Sequence, residues 1–175
     1  KLIIWTSFVH NVETIASRLQ VLNSVFIHGG VETGDVFEDE TREAKIRKFK
    51  TDPNCMVLVA NPAACGESIS LHKCCHTAIY VDRTFNAAHY MQSEDRIHRF
   101  GLPEIDGRPV DTNIEILTHD YTIDTQIDLS LFQKINNMKE ALNDERLMTE
   151  PSDFDSEFDD EDETYVLEHL REGRE

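Results

Sequence analysis

The stretch Cys55-Met56-Val57-Leu58-Val59-Ala60-Asn61-Pro62 decides the fold class. It is a near-continuous apolar run that stops at an Asn-Pro turn signal. Apolar side chains at successive positions mark a strand whose two faces are both buried, the pattern of parallel sheets. Comparable runs occur at residues 2–7, 24–28, 78–82 and 112–117. Amphipathic segments separate them. Val12, Ile15, Ala16 and Leu19 recur at helical spacing within residues 10–22, and Ala44, Ile46 and Phe49 do so within 41–50. Further helices are predicted over 87–100 and over 122–143, where Ile123, Ile127, Leu131, Ile135, Met138 and Leu142 follow steps of three and four. The alternation predicts an α/β fold: a parallel sheet with helices on both faces, joined by right-handed crossovers.

Gly29-Gly30, Gly34, Asn61-Pro62, Gly66 and Gly101-Leu102-Pro103 mark loops, most of them directly after a strand. In an open parallel sheet the ligand crevice lies beyond the carboxyl ends of the strands. Residues 28–30, 61–70 and 82–86 are therefore expected to converge on one edge.

The chain has 175 residues, of which 39% are hydrophobic, enough for the core of one ordinary domain. No stretch approaches the roughly 20 apolar residues of a membrane-spanning helix, so a membrane partner is excluded. A formal charge of −17 and a pI of about 4.7 argue at first sight against nucleic acid, whose phosphates attract clustered Lys and Arg. The charge is unevenly distributed, however. Residues 1–149 carry 22 acidic and 15 basic side chains, whereas 150–175 carry 12 and 2. Nine carboxylates fall within 150–163, with Phe154 and Phe158 as the large apolar groups, a composition that predicts a disordered acidic tail. The expected division is a lobe over 1–148 and a tail over 149–175, in which Val166, Leu167 and Leu170 suit a short terminal helix. Cys55, Cys65, Cys74 and Cys75 are read as reduced thiols in a cytoplasmic protein, since no charged-then-apolar leader precedes them. A chain opening at Lys1 without Met is expected to be a piece of a longer polypeptide.

The most specific local feature is Gln92-Ser93-Glu94-Asp95-Arg96-Ile97-His98-Arg99-Phe100-Gly101. On a helix, Arg96 and Arg99 project from one face. Two permanently charged guanidiniums with forked donors suit a polyphosphate. The bland alternative is a solvated helix in which Glu94 and Asp95 neutralise them.

Taken in order, residues 1–8, Ile27-His28-Gly29-Gly30, residues 42–49, residues 57–71, Tyr80-Val81-Asp82-Arg83-Thr84-Phe85-Asn86 and residues 92–101 resemble the second RecA-like lobe of superfamily 2 helicases, closest to the Swi/Snf-type DNA-dependent ATPases. The resemblance covers about residues 1–118. It implies that residues 2–8 are motif IV, the first strand of the lobe. It makes residues 61–71 motif V, which touches the nucleic-acid backbone and links that contact to the nucleotide. Residues 92–101 become motif VI, whose arginines reach the ATP phosphates across the cleft between lobes. On that reading Arg99 is the arginine finger, Arg96 a second phosphate contact, and Gln92, Gly66 and Glu67 lie near the nucleotide. Gly29, Gly30, Asn61, Ser68, Lys45 and Lys48 are the expected nucleic-acid contacts. A guanidinium so placed stabilises charge developing on the transferred phosphoryl oxygens.

Several positions depart from the pattern. Asn61-Pro62-Ala63 stands where the Swi/Snf branch has Ser-Thr-Lys, and Ala64-Cys65-Gly66 where it has Ala-Gly-Gly. Asn61 is left as the side-chain donor there, so backbone N–H groups carry more of the phosphate contact. Leu102 replaces the Gln after motif VI, and Ala87 replaces a Pro, which suggests a divergent bacterial or phage subgroup. Neither a phosphate loop ending Gly-Lys-Ser/Thr nor a motor Asp-Glu pair occurs in the chain. ATP and Mg²⁺ are thus expected to be bound mainly by a first RecA-like lobe, and the chain alone is expected not to turn ATP over. Duplex DNA is the expected track, with RNA as an alternative because backbone contacts specify poorly.

Three other features have competing readings. Arg42, Lys45, Arg47, Lys48 and Lys50 are either a phosphate-tracking face or a solvated helix balanced by Glu38, Asp39, Glu40 and Glu43. Cys65, His72, Cys74, Cys75 and His76 have the wrong spacing for common zinc sites, and no metal is expected. The tail is a solubilising extension or a nucleic-acid mimic. The competing function class is a degenerate lobe that serves as a non-catalytic binding module.

Overall fold

The computed structural model describes residues 1–35, 40–65, 69–99, 102–105, 107–119 and 121–142. The expected acidic tail, with its short terminal helix, lies outside those residues. So do the nucleotide-proximal Gly66 and Glu67 and the candidate backbone contact Ser68. The chain divides into two compact units, Lys1–Thr118 and His119–Glu175.

The first unit is built on β1 (Leu2–Trp5), β2 (Val25–Ile27), β3 (Val57–Ala60), β4 (Thr77–Tyr80) and, later in the chain, β7 (Asn113–Ile116). All four pairings are parallel and the strand order is β2-β3-β1-β4-β7. Each of the five expected strands is present, one or two residues shorter than its apolar run. β1 and β3, in the middle, are buried nearly throughout. β7 differs from the expected continuous burial because it is an edge strand. Asn113 and Glu115 are exposed and alternate with half-buried Ile114 and Ile116.

Helix α1 (Val9–Arg18) covers one sheet face, where Val12 and Ala16 pack with Ile4, Val57 and Val59, flanked by Leu2, Ile15, Leu19 and Phe26. Each fully buried aliphatic side chain in such a cluster contributes about 1.5–3 kcal/mol. The helix gives way to a 3₁₀ turn at Gln20–Leu22 and ends at Asn23, whose φ of 49° is one that Asn tolerates better than most residues. Helix α2 (Arg42–Thr51) starts where the Thr41 hydroxyl accepts the Ala44 N–H at 3.3 Å. Its inward face consists of Ala44, Lys45 and Phe49, with Ile46 only half-buried.

Helix α3 (Ala87–Glu94) is capped by Asn86, whose Oδ1 accepts the His89 N–H at 3.1 Å. It lies on the sheet face opposite α1. Tyr80 stacks on Trp5 at 6.3 Å and meets Tyr90 of α3 at 5.1 Å. The Ser93 hydroxyl donates to the Tyr90 carbonyl at 2.6 Å, so the Tyr80 hydroxyl donates to Ser93 Oγ, also at 2.6 Å. Helices therefore cover both faces, as the alternating pattern predicts. A small antiparallel hairpin, β5 (Glu104–Ile105) with β6 (Arg108–Pro109), was not expected.

The second unit contains α4 (Ile123–Leu142), close to the predicted 122–143. Ile127, Leu131 and Ile135 form a buried stripe at steps of four. No helix among the described residues is long and apolar enough to cross a membrane.

Candidate functional site: the carboxyl edge of the sheet

Because all five strands of the sheet are parallel, the segments that follow β1, β2, β3 and β4 share one edge. Thr6-Ser7, His28-Gly29-Gly30, Asn61 and Asp82 are thereby brought to that edge, as the loop positions predict. Asp82 is its organiser. Its carboxylate accepts the Thr6 hydroxyl, the Ser7 N–H at 2.6 Å and, more distantly, the Asn11 amide at 3.5 Å. Asn61 closes the other side, donating through Nδ2 to the Ser7 carbonyl at 2.7 Å and accepting the Ala63 N–H at 2.9 Å. The ends of β4, β1 and β3 are thus tied in series. Asn61, expected as the one side-chain donor to phosphate, has both ends of its amide engaged within the protein.

After β2 the chain makes a tight turn. The Val31 N–H donates to the His28 carbonyl at 3.0 Å, and the Gly30 N–H donates to His28 Nδ1 at 3.1 Å. Gly29 and Gly30 are both exposed, as a backbone contact surface requires.

The arginine motif is laid out differently from expectation. Residues 87–100 were predicted as one helix with Arg96 and Arg99 on a common face, but α3 stops at Glu94. The following turn tightens to three-residue hydrogen bonds, Arg96 N–H to Ser93 at 3.2 Å and Ile97 N–H to Glu94 at 3.0 Å. Two interactions account for the change. Ile97 is drawn completely into the core, and the Arg96 carbonyl accepts the Leu71 N–H at 2.8 Å instead of continuing the helical ladder. Arg96 is half-buried and its Nη1 donates to the Ile69 carbonyl at 3.3 Å. Arg99 and Gln92 are exposed.

Electrostatics separates the two arginines further. Burial pushes the Cys65 thiol up to about 12, and the Arg42 and Arg96 guanidiniums oppose that shift, so both lie near this buried sulfur. Arg99 belongs with His72, whose pKa is lowered first by burial and then by Lys73, Arg99, His76 and Lys50. His72 is held by Ser70 Oγ at 2.7 Å from Nδ1, and its carbonyl meets His76 Nε2 at 2.7 Å.

The two candidate lysines on α2 also part company. Lys45 is buried, with its ammonium 4.2 Å from the Phe26 ring centroid and 3.2 Å from Glu40. Lys48 is exposed. Among the described residues no group of three or more His, Cys, Asp or Glu side chains is placed to hold a metal ion. The roles of Asp82, Thr6 and Ser7 were missed in the sequence because their partners are distant along the chain. The only signal was a carboxylate placed directly after the apolar run of β4.

The model of the helicase conserved C-terminal domain matches residues 1–101. A search of the curated proteins finds no match. Among solved structures, the chain is similar to one described as the C-terminal part of the Fun30 ATPase domain, with a TM-score of 0.62 and 24% identity. The alignment covers 75% of this chain and 38% of that one, and at this identity it speaks for the fold alone.

Proposed function

Since the chain belongs to the helicase conserved C-terminal domain family, we propose that it is the second RecA-like lobe of an ATP-dependent, Swi/Snf-type motor that tracks duplex DNA. In helicases this domain is the lobe that partners with an N-terminal lobe. The observation that carries the reading is the pair of hydrogen bonds joining Arg96 to Ile69 and Leu71. They make the nucleotide-facing motif and the loop facing nucleic acid one hydrogen-bonded piece, the mechanical requirement for converting phosphate chemistry into movement along a backbone.

The residues suit a polyphosphate. Arg99 is exposed and cationic, and Arg96 lies beside the loop after β3. ATP with Mg²⁺, held mainly by the first lobe, would supply the γ-phosphoryl group and the metal charge. Arg99 then presents its forked donors to the developing negative charge, and Arg96 holds the adjoining loop in register. Gln92 borders the same site. Gly29 faces the DNA phosphates, and Lys48 adds long-range attraction. Ser68, Gly66 and Glu67 complete this proposal in the part of the loop outside the described residues.

Arg99→Ala in the chain joined to its first lobe tests this reading. It should abolish DNA-stimulated ATP turnover while nucleotide binding survives.

A further inference from the structure

The turn after β2 is held by an arrangement that neither the family resemblance nor the motif reading assigns. His28 accepts the Gly30 N–H on Nδ1 at 3.1 Å, so that nitrogen carries no proton and the other ring nitrogen carries one. The protonated Nε2 faces Glu13 Oε1 of α1 at 3.3 Å. Phe26 stacks on the imidazole at 5.6 Å with the ring planes 9° apart, and Lys45 of α2 lies on Phe26. The ring is therefore fixed in tautomer by Glu13 and in plane by Phe26, with only 10% of its side chain exposed. Gly30 approaches it closely. A Cβ there would sit 3.1 Å from His28 Cε1 and 3.2 Å from Nδ1.

This arrangement selects which backbone donor is available. Of three successive N–H groups, that of Gly30 is taken by the His28 ring and that of Val31 by the His28 carbonyl. The Gly29 N–H has no partner among the described residues, Gly29 is exposed, and a Cβ added to it would meet nothing within 4 Å. An unpartnered amide on an exposed glycine at the carboxyl edge of a parallel sheet fits an incoming anionic oxygen.

We propose that His28, fixed by Glu13, is a positioning residue that holds the Gly29 N–H toward a phosphodiester oxygen of the bound strand. The proposal rests on the nucleic-acid reading above and adds to it the residues that set the contact. His28 does not touch the strand. It acts by occupying the neighbouring amide and fixing the turn.

Anisotropy of a labelled duplex DNA of random sequence, titrated with the purified 175-residue chain, tests this. His28→Leu should weaken binding about five-fold, the scale of one well-placed hydrogen bond. His28→Asn should restore most of the affinity, because an Asn side-chain oxygen reaches the N–H two residues on in the same way. Glu13→Ala should also weaken binding, although removing a carboxylate near DNA would by charge alone strengthen it. In the wild-type chain, the Gly29 amide resonance should shift on DNA addition more than that of Gly30.

Wild-type affinity in folded His28→Leu, or no rescue by a folded His28→Asn, overturns the positioning role while leaving the nucleic-acid reading intact. Tighter binding by Glu13→Ala would count against it in the same way. Failure of the wild-type chain to bind duplex DNA overturns both.

Discussion

Arg96 and Leu71 are joined by a 2.8 Å backbone hydrogen bond, and the Arg96 guanidinium returns to the same loop through the Ile69 carbonyl at 3.3 Å. An arginine that the family resemblance assigns to the nucleotide is thus also a structural member of the loop after β3. It anchors that loop from both its main chain and its side chain.

Arg96 should consequently affect stability, unlike the exposed Arg99. Arg96→Ala is expected to cost about 1.5–3 kcal/mol, the range for a hydrogen bond with a charged partner. Arg96→Lys should recover only part of this, because an ammonium lacks the planar fork. Urea unfolding reads the difference. A wild-type midpoint for Arg96→Ala would mean that the contact contributes nothing.

Lys45 and Lys48 should behave differently despite their shared helix. Lys45 is folded onto Phe26 and Glu40, so Lys45→Met should leave duplex DNA affinity within about two-fold, while Lys45→Ala loses packing of the long stem. The Glu40 carboxylate is 92% exposed, so the ion pair itself contributes little. Lys48→Glu should weaken DNA binding and flatten its salt dependence. Equal loss in Lys45→Met and Lys48→Glu would contradict this division.

The buried thiol at Cys65 predicts an alkaline limit. Its pKa rises from the ordinary 9.0 to about 12 in the folded chain, chiefly because burial disfavours the thiolate. Above pH 9 the unfolded chain therefore loses a proton that the native chain keeps. Stability should fall as pH rises from about 9 toward 12, by up to about 1.4 kcal/mol per pH unit from this group. Below pH 9 its contribution is complete and flat. Cys65→Ala should reduce the alkaline slope, measured by urea unfolding at several pH values. An unchanged slope would show that the other cysteines, whose pKa values burial also raises, account for it.

What could be read in the sequence follows from the range of the interactions involved. The parallel sheet was legible because Val57, Leu58, Val59 and Ala60 are apolar in succession, a local signal of two-sided burial. The edge position of β7 was less visible. Asn113 and Glu115 alternate with isoleucines, and that alternation could have marked it. Likewise Asp106-Gly107 between residues 104–105 and 108–109 is a hairpin signal, and Gly107 adopts a φ of 75°. The early end of α3 could not be read locally, since it depends on Leu71 capturing the Arg96 carbonyl. The Asp82 network was hidden for the same reason, because its donors at Thr6, Ser7 and Asn11 lie far away in sequence.

The role proposed for this lobe is to complete an ATPase by presenting Arg99 to the transferred phosphoryl group. Single-turnover ATP hydrolysis, measured with saturating duplex DNA on the chain joined to its first lobe, tests it most directly when wild type and Arg99→Ala are compared. The expected result is a loss of about 10³-fold or more in the rate, as for other arginine fingers, with nucleotide affinity within a few-fold of wild type. A rate in Arg99→Ala within about ten-fold of wild type would rule out an arginine-finger role for Arg99.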